Sequence, residues 1–266
     1  MIYTKLNKLL LIVIILIPIF FNCCKKEKEK WVLTFNDEFS GDSLNRNIWR
    51  TGFDWGQSSS GTNQTLLIDS AFNLKDGILH IKLNRDTVTG WVYDSNFNPV
   101  QKEYYYTAGM IQSAYSFSQL YGYFEIRSKI PLGSGFWLSF WLMSPNSWPP
   151  EIDIFEISGL EPNKMHIANH FLNKNGIPRQ INASIYGTDF SNDFHIFAIE
   201  WNPKEIIWYL DNKKVYRTET CIPDERMYVI ISSGLGGSDF SGSANNSTFL
   251  PNYFDIDYVR VYKEAN

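Results

Sequence analysis

Residues 151–156 have the sequence Glu-Ile-Asp-Ile-Phe-Glu, in which three carboxylates alternate with large apolar side chains. Successive side chains of a β-strand point to opposite faces of the sheet, so Glu151 and Asp153 share a face. Glu156 falls on the other face unless one extra residue, a β-bulge near Phe155, restores the phase. We therefore predict a bulged strand with all three carboxylates on one side.

Three like charges on one strand face are electrostatically unfavourable, which indicates a chemical site. In a retaining glycosidase, two carboxyl groups about 5–5.5 Å apart act as nucleophile and general acid. The three carboxylates could instead bind Ca²⁺ or Mg²⁺, since both ions prefer oxygen ligands. A third interpretation is a solvent-facing strand edge without function, which the neighbouring Ile, Phe and Trp residues disfavour.

Strand-like segments separated by turn signals occur on both sides of this stretch. They cover residues 77–83, 121–127, 205–210, 227–231 and 253–262. Several alternate apolar with polar residues, as strands with one buried face do. Lys75-Asp76-Gly77 and Asp211-Asn212 fit hairpin turns. No Pro/Gly/Ser-rich linker divides residues 31–266. We predict one all-β domain there, an antiparallel β-sandwich of the jelly-roll type with an open substrate cleft.

The composition of the 266-residue chain excludes several classes of protein. It is 44% hydrophobic and 16% aromatic with 3 Cys, which fits neither a disordered chain nor a disulfide-stabilised scaffold. From Trp31 onward there are 18 basic and 26 acidic residues, a balance of −8. Nucleic acid is therefore not an expected partner, because this charge repels polyphosphates.

The N-terminal segment has the features of an export signal. A short basic stretch precedes 13 apolar residues at 9–21, too few to span a bilayer. The segment ends in Phe21-Asn22-Cys23-Cys24, which resembles the lipobox of bacterial lipoproteins. This resemblance implies a lipoprotein-type signal peptide at residues 1–22, with Cys23 or Cys24 acylated and residues 23–30 forming a charged tether. An ordinary signal peptide or an uncleaved anchor is the alternative. The predicted location is a bacterial cell envelope at the outer membrane, on its periplasmic or surface face, with membrane contact through the lipid anchor only.

The segments around the acidic stretch resemble glycoside hydrolase family 16, whose β-jelly-roll members carry the pattern Glu-x-Asp-x-x-Glu. The resemblance extends from Trp31 to Tyr262. The segments that carry it, besides 151–156, are 35–41, 107–113, 121–131, 135–142, 194–201 and 255–262. This order of segments makes the three-acid pattern far more specific than it is alone.

The resemblance implies endo-acting, retaining hydrolysis of a β-linked polysaccharide. It implies that Glu151 is the nucleophile, that Glu156 is the general acid and base, and that Asp153 assists by hydrogen bonding to the nucleophile. No cofactor is expected for catalysis. The two glutamates need different environments, because one has to be ionised while the other holds its proton.

Aromatic and polar residues outside the strand complete the predicted site. Trp137 and Trp141 are four residues apart and share a strand face; by resemblance they line the cleft, although both could be ordinary core residues. Flat rings suit the apolar face of a pyranose. His170 matches a family position beside the acid/base. Glu38 and Asp257 match the region where many family members bind a structural Ca²⁺.

The substrate is predicted from the charges near the motif. A sulfated substrate would favour Lys or Arg around the cleft, but no basic cluster flanks the tryptophan pair or the acidic strand. This favours a β-1,3- or mixed-linkage β-glucan over a red-algal galactan such as agar, porphyran or carrageenan. A non-catalytic surface glycan-binding protein is the rival interpretation, because jelly rolls serve both functions. We expect a monomer.

Overall fold

The computed structural model describes residues 30–58, 64–93, 98–246 and 248–265. In these ranges it contains β-strands, one 3-10 turn at Asp69–Ala71 and no α-helix. The strands are β1 (Trp31–Asp37), β2 (Arg50–Thr51), β3 (Thr65–Leu67), β4 (Phe72–Lys75), β5 (Ile78–Tyr93), β6 (Pro99–Ala108), β7 (Met110–Gln112), β8 (Gly122–Lys129), β9 (Phe136–Met143), β10 (Glu151–Ser158), β11 (Lys164–Leu172), β12 (Pro178–Tyr186), β13 (His195–Trp201), β14 (Ile206–Leu210), β15 (Lys213–Thr218), β16 (Tyr228–Leu235), β17 (Gly237–Ser238), β18 (Gly242–Ser243) and β19 (Asn252–Glu264).

Two large sheets make up the sandwich. The ten-stranded sheet has the order β15-β14-β13-β8-β19-β5-β6-β3, with β1 added beside β19 and β4 beside β5. The seven-stranded sheet has the order β12-β11-β10-β9-β16-β7-β2, and β17 pairs with β18 in a small separate sheet. Pairing within the described residues is antiparallel except between β3 and β6. The predicted antiparallel all-β sandwich is confirmed.

The core lies between the two large sheets and contains most of the aromatic rings. Phe155 of the seven-stranded sheet packs against Phe197 of the other sheet, with ring centroids 4.5 Å apart. Trp49, Trp201 and Trp208 are among the largest fully buried side chains. The high aromatic content therefore serves first to fill the interior of the sandwich.

Both predicted hairpin turns are present. Asp76 and Gly77 have φ values of 54° and 76°, and Asp211 and Asn212 have 48° and 63°. Two consecutive residues with positive φ are what a two-residue type I′ hairpin requires. The predicted strand at 77–83 is too short, however, because β5 continues to Tyr93 and pairs there with β6.

The predicted signal peptide, Cys23, Cys24 and most of the tether lie outside the described residues. In the part of the chain that the structure describes, no helix is long and apolar enough to cross a membrane.

Candidate active site

The three carboxylates of β10 lie on the sheet face that points away from the core. Asp153 pairs with Trp141 of β9, whereas Phe155 pairs with Phe140, so the register shifts by one residue between them. Ile154 is the extra residue and is buried. This is the predicted bulge, and it places Glu156 on the same face as Glu151 and Asp153.

An open cleft of about 730 Å³ runs across this face of the seven-stranded sheet. β10 lies between β9 and β11, so the interpretation as a functionless strand edge is wrong. The described lining residues are Asp54, Trp55, Ala114, Tyr115, Trp137, Ser139, Trp141, Met143, Ser144, Pro145, Asn146, Ser147, Trp148, Glu151, Asp153, Glu156, Tyr228, Ser232, Ser233 and Gly234. They include four carboxylates and no Lys or Arg.

Trp137 and Trp141 both line the cleft, as the resemblance implied. The indole Nε1 of Trp137 donates to Glu156 Oε1 at 2.9 Å, and that of Trp141 donates to Ser232 Oγ at 3.2 Å. The ring of Phe240 lies 4.6 Å from that of Trp137. Trp137 is therefore held between an aromatic contact and one of the two glutamates.

Glu151 accepts a hydrogen bond at Oε2 from the indole Nε1 of Trp148, at 2.8 Å. The Nε2 atom of His170 lies 3.5 Å from Glu151 Oε1 and 3.0 Å from Asp153 Oδ2. Trp148 is 54% exposed and forms a wall of the cleft. Glu151 and Asp153 thus belong to one hydrogen-bonded cluster with an imidazole.

His170 lies beside both glutamates. Strand register puts it opposite Glu151 and puts His166 opposite Glu156, and His170 is near enough to Glu156 to act on the pKa of that carboxyl. The bulge in β10 shifts the pairing with β11 between Asp153 and Glu156. Sequence spacing alone does not reveal such a shift.

Burial is the largest cause of a raised pKa at all three carboxyl groups. It raises the pKa of Glu151 to about 8, with a further contribution from Asp153. The pKa values of Asp153 and Glu156 are also raised by burial, and the Trp137 hydrogen bond partly opposes the rise at Glu156. The cluster therefore retains protons at neutral pH.

This geometry suits acid and nucleophile chemistry in one cleft. Glu151 and Glu156 lie on the same strand face, with Asp153 between them. The donor atoms of Glu151, Asp153 and His170 all lie within 4.8 Å of one another. Because an imidazole nitrogen completes this group, it does not fit Ca²⁺ or Mg²⁺, which prefer oxygen ligands throughout. We do not identify these residues as metal ligands.

The side chains of Glu38 and Asp257 do not fit a calcium ion. Arg260 binds both oxygens of Glu38, through Nε at 2.8 Å and Nη2 at 2.7 Å. Arg127 donates to Asp257. Each carboxylate is therefore already neutralised by a guanidinium group, whereas Ca²⁺ takes six to eight oxygen ligands. The prediction of structural calcium gains no support from these two side chains.

Sequence analysis missed several residues that shape the site. Trp208 of β14 donates its indole N–H to the backbone oxygen of Asp153 at 2.9 Å and so holds the strand next to the bulge. Ser139 and Ser232 share a hydrogen bond of 2.6 Å on the cleft floor. Trp208 lies in an apolar strand segment whose pattern indicates only core, and isolated serines carry no motif.

A wall of the cleft also had no sequence signal. Trp55 stacks on Phe53 at 4.6 Å, and the hydroxyl of Tyr115 donates to Asp54 at 3.1 Å. These residues lie mainly in connecting segments outside the strands, where no side-chain periodicity indicates a direction. Pairing of β2, β7 and β16 brings the connecting segments to the cleft.

Comparison with known proteins gives consistent matches. The model of the family described as Glycosyl hydrolases family 16 matches residues 57–260. Endo-1,3-1,4-beta-glycanase ExsH of Rhizobium meliloti (strain 1021) is 30% identical over 244 residues, which is 86% of this chain and 51% of ExsH. Glucan endo-1,3-beta-glucosidase of Cryptopygus antarcticus is 30% identical over 277 residues, covering 92% of this chain and 97% of that enzyme.

Among solved structures, the laminarinase catalytic domain from Thermotoga maritima MSB8 aligns with a TM-score of 0.75 at 26% identity. The alignment covers 90% of this chain and 100% of that domain. The chain spans about half the length of ExsH and nearly all of the Cryptopygus antarcticus protein. The family match includes the whole of β10 and therefore its three carboxylates.

Proposed function

The chain belongs to glycoside hydrolase family 16, and on this premise we propose that it is an endo-acting, retaining hydrolase of a neutral β-1,3- or mixed-linkage β-glucan. The observation that carries the proposal is the bulge in β10, which brings Glu151 and Glu156 to one face of an open cleft. Two carboxylates on one side of a glycan-sized groove are the machinery of glycosidic hydrolysis.

The reaction takes place in two displacements. Glu151 attacks the anomeric carbon, so that a carbon–oxygen bond to the enzyme forms as the glycosidic bond breaks. Glu156 gives its proton to the leaving oxygen. In the second step Glu156 takes a proton from water, whose oxygen attacks the same carbon and releases Glu151. Asp153 keeps a proton between the two steps and hydrogen bonds to Glu151.

The cleft supports a neutral substrate. Its described lining combines four carboxylates with several aromatic rings and carries no Lys or Arg. Sulfate groups would find no cationic partner among these lining residues. The names of ExsH and of the Cryptopygus antarcticus enzyme, a 1,3-1,4-β-glycanase and a 1,3-β-glucosidase, agree with a β-glucan substrate. Agar, porphyran or carrageenan is the alternative substrate class.

The first test measures release of reducing ends from laminarin, lichenan, agarose, porphyran and carrageenan. We expect activity on laminarin or lichenan. Glu151→Gln and Glu156→Gln should each lower kcat at least about 10³-fold, because each removes a group that acts on the reacting atoms. The matched control is Glu161→Gln, which changes an acid in the turn after β10 that does not line the cleft.

Three outcomes would contradict the proposal. Wild-type rates in Glu151→Gln would exclude the assigned nucleophile. Cleavage of a red-algal galactan and of neither glucan would show that the substrate is not a β-glucan. Binding to one polysaccharide without cleavage of any would favour the non-catalytic glycan-binding protein.

We also propose that the chain is a lipoprotein of the bacterial outer membrane, anchored through Cys23 or Cys24. The support is the sequence of residues 1–30 alone: a basic start, an apolar stretch and a cysteine pair. Incorporation of labelled fatty acid in cells should be lost when both cysteines are changed to Ser. Incorporation that persists in this variant would exclude these acceptors.

A further inference from the structure

Each of the two cleft glutamates accepts a hydrogen bond from a different tryptophan. Trp137 donates through Nε1 to Glu156 Oε1 at 2.9 Å, and Trp148 donates through Nε1 to Glu151 Oε2 at 2.8 Å. Trp137 lies on β9, and Trp148 lies in the connection between β9 and β10. Trp141 also lines the cleft, but its indole N–H donates to a serine hydroxyl.

We propose that Trp137 and Trp148 are positioning residues that select which oxygen of each glutamate takes part in the reaction. The proposal rests on the proposed function, because it assigns the chemistry to Glu151 and Glu156. A carboxyl group has two equivalent oxygens in water, and only one of them can face the reacting atoms. An N–H group that is held in place on one oxygen removes this equivalence.

For Glu156 the consequence concerns the position of the proton. Oε1 accepts the N–H of Trp137, so an acidic proton is favoured on Oε2. Oε2 is then the atom that donates to the leaving oxygen. For Glu151 the consequence concerns the attacking atom. Trp148 donates to Oε2 at 2.8 Å, whereas the contact of Oε1 with His170 Nε2 is 3.5 Å long, so Oε1 is the less firmly held oxygen and is assigned the attack.

The ring of Trp137 is partly buried and packed, whereas the more exposed ring of Trp148 has a looser aromatic neighbour. The Trp137 ring lies 4.6 Å from Phe240, which in turn lies 5.0 Å from the ring of His166. The Trp148 ring lies 6.1 Å from that of His170. A Trp→Phe substitution keeps an aromatic ring at each position and removes the N–H group, so it tests the hydrogen bond more than the packing.

The two N–H groups also act on the charge of the glutamates. A donor strengthens its bond when the acceptor is ionised, so each indole lowers the pKa of its own glutamate, against the raising effect of burial. The other titratable groups that face the pair are Asp153, His170, His166, Tyr228, Tyr115 and Asp54. All of these stay in place when an indole N–H is removed.

The experiment compares pH profiles of kcat/KM for wild type, Trp148→Phe, Trp137→Phe and Trp141→Phe on whichever β-glucan the wild type cleaves. Trp148→Phe should move the acidic limb to higher pH by about half to one unit, because ionised Glu151 loses a donor. Trp137→Phe should move the alkaline limb to higher pH by a similar amount, because Glu156 keeps its proton longer. Trp141→Phe is the matched control and should move neither limb.

A second measurement does not depend on turnover. Titration of the side-chain carboxyl carbons of ¹³C-labelled glutamate by NMR should show one raised pKa in each of Trp148→Phe and Trp137→Phe, at different glutamates. Near-UV circular dichroism checks that each variant is folded. If the wild type cleaves no glucan, the proposed function fails, and the NMR titration still tests the two hydrogen bonds.

Two results would overturn the positioning roles while the proposed function stands. One is that the wild type is active but the pH profiles of kcat/KM for Trp137→Phe and Trp148→Phe coincide with that of Trp141→Phe. The other is a shift of the same limb by both substitutions, since the two indoles would then not act on separate glutamates.

Discussion

Three tryptophans of the cleft show how much the position of one N–H group matters. Trp137 and Trp148 donate to carboxylates, whereas Trp141 donates to Ser232. All three present apolar ring area to the cleft, so ring stacking on sugar is open to each of them. Of the three, only Trp137 and Trp148 donate to the cleft glutamates and so act on their protonation.

The ion pair between Glu38 and Arg260 bears on whether this region binds calcium. Their two-point ion pair, at 2.8 and 2.7 Å, occupies both oxygens that a calcium ion would need. We expect the melting temperature in EDTA and in millimolar CaCl₂ to agree within about 2 °C, because Glu38 and Asp257 are each paired with an arginine. Calorimetry checks this. The contradicting result is a large rise of the melting temperature with CaCl₂ in the wild type that is lost in Glu38→Gln. It would show that calcium displaces Arg260 from Glu38.

At the scale of strands and turns, much of the fold is predictable because it depends on local periodicity. The strands at 121–127 and 205–210 and the turn at Asp211-Asn212 are found within a few residues of their predicted places. The bulge was also predictable, since acids at positions 151, 153 and 156 share a face only with one extra residue. The partner strands on either side of β10 determine where the bulge lies, at Ile154.

What the sequence does not reveal comes from contacts between distant elements. A register shift between β10 and β11 brings His166 opposite Glu156. Trp208 reaches Asp153 from a strand of the other sheet. Trp148 reaches Glu151 through the path of a proline-containing connection. No pattern of apolar spacing encodes these three contacts, because each depends on how sheets and loops pack.

The turn between β4 and β5 allows a clean test of backbone strain. Gly77 has φ +76°, and a Cβ added there meets nothing within 4 Å. Gly77→Ala should therefore destabilise the fold by about 1 kcal/mol through backbone conformation alone. Urea unfolding measures this. Gly41→Ala is the control, because its φ is not in the left-handed region and its added Cβ makes only ordinary contacts. Equal effects at the two sites would contradict the strain argument.

At the scale of the whole molecule, the cleft carboxylates make stability depend on pH. Folding raises the pKa values of Glu151, Asp153 and Glu156, so the native state binds more protons than the unfolded chain above about pH 4. The free energy of unfolding contributed by these groups therefore falls as the pH rises from about 4 towards 8. The same burial that lowers stability at higher pH also gives the cleft an acid that keeps its proton near neutral pH.

Asp153→Asn tests this linkage, since it removes the most deeply buried of the three charges while an amide oxygen can still accept from His170. We expect the variant to gain stability relative to wild type as the pH rises, with a difference near zero at pH 4 and about 1–3 kcal/mol at pH 8. Urea unfolding at pH 4, 6 and 8 measures the trend. Asp42→Asn, which changes an exposed acid, is the control and should show no such slope. A difference that stays constant between pH 4 and 8 would mean that Asp153 is not held protonated by burial, and the proton that the proposed mechanism places there would need another site.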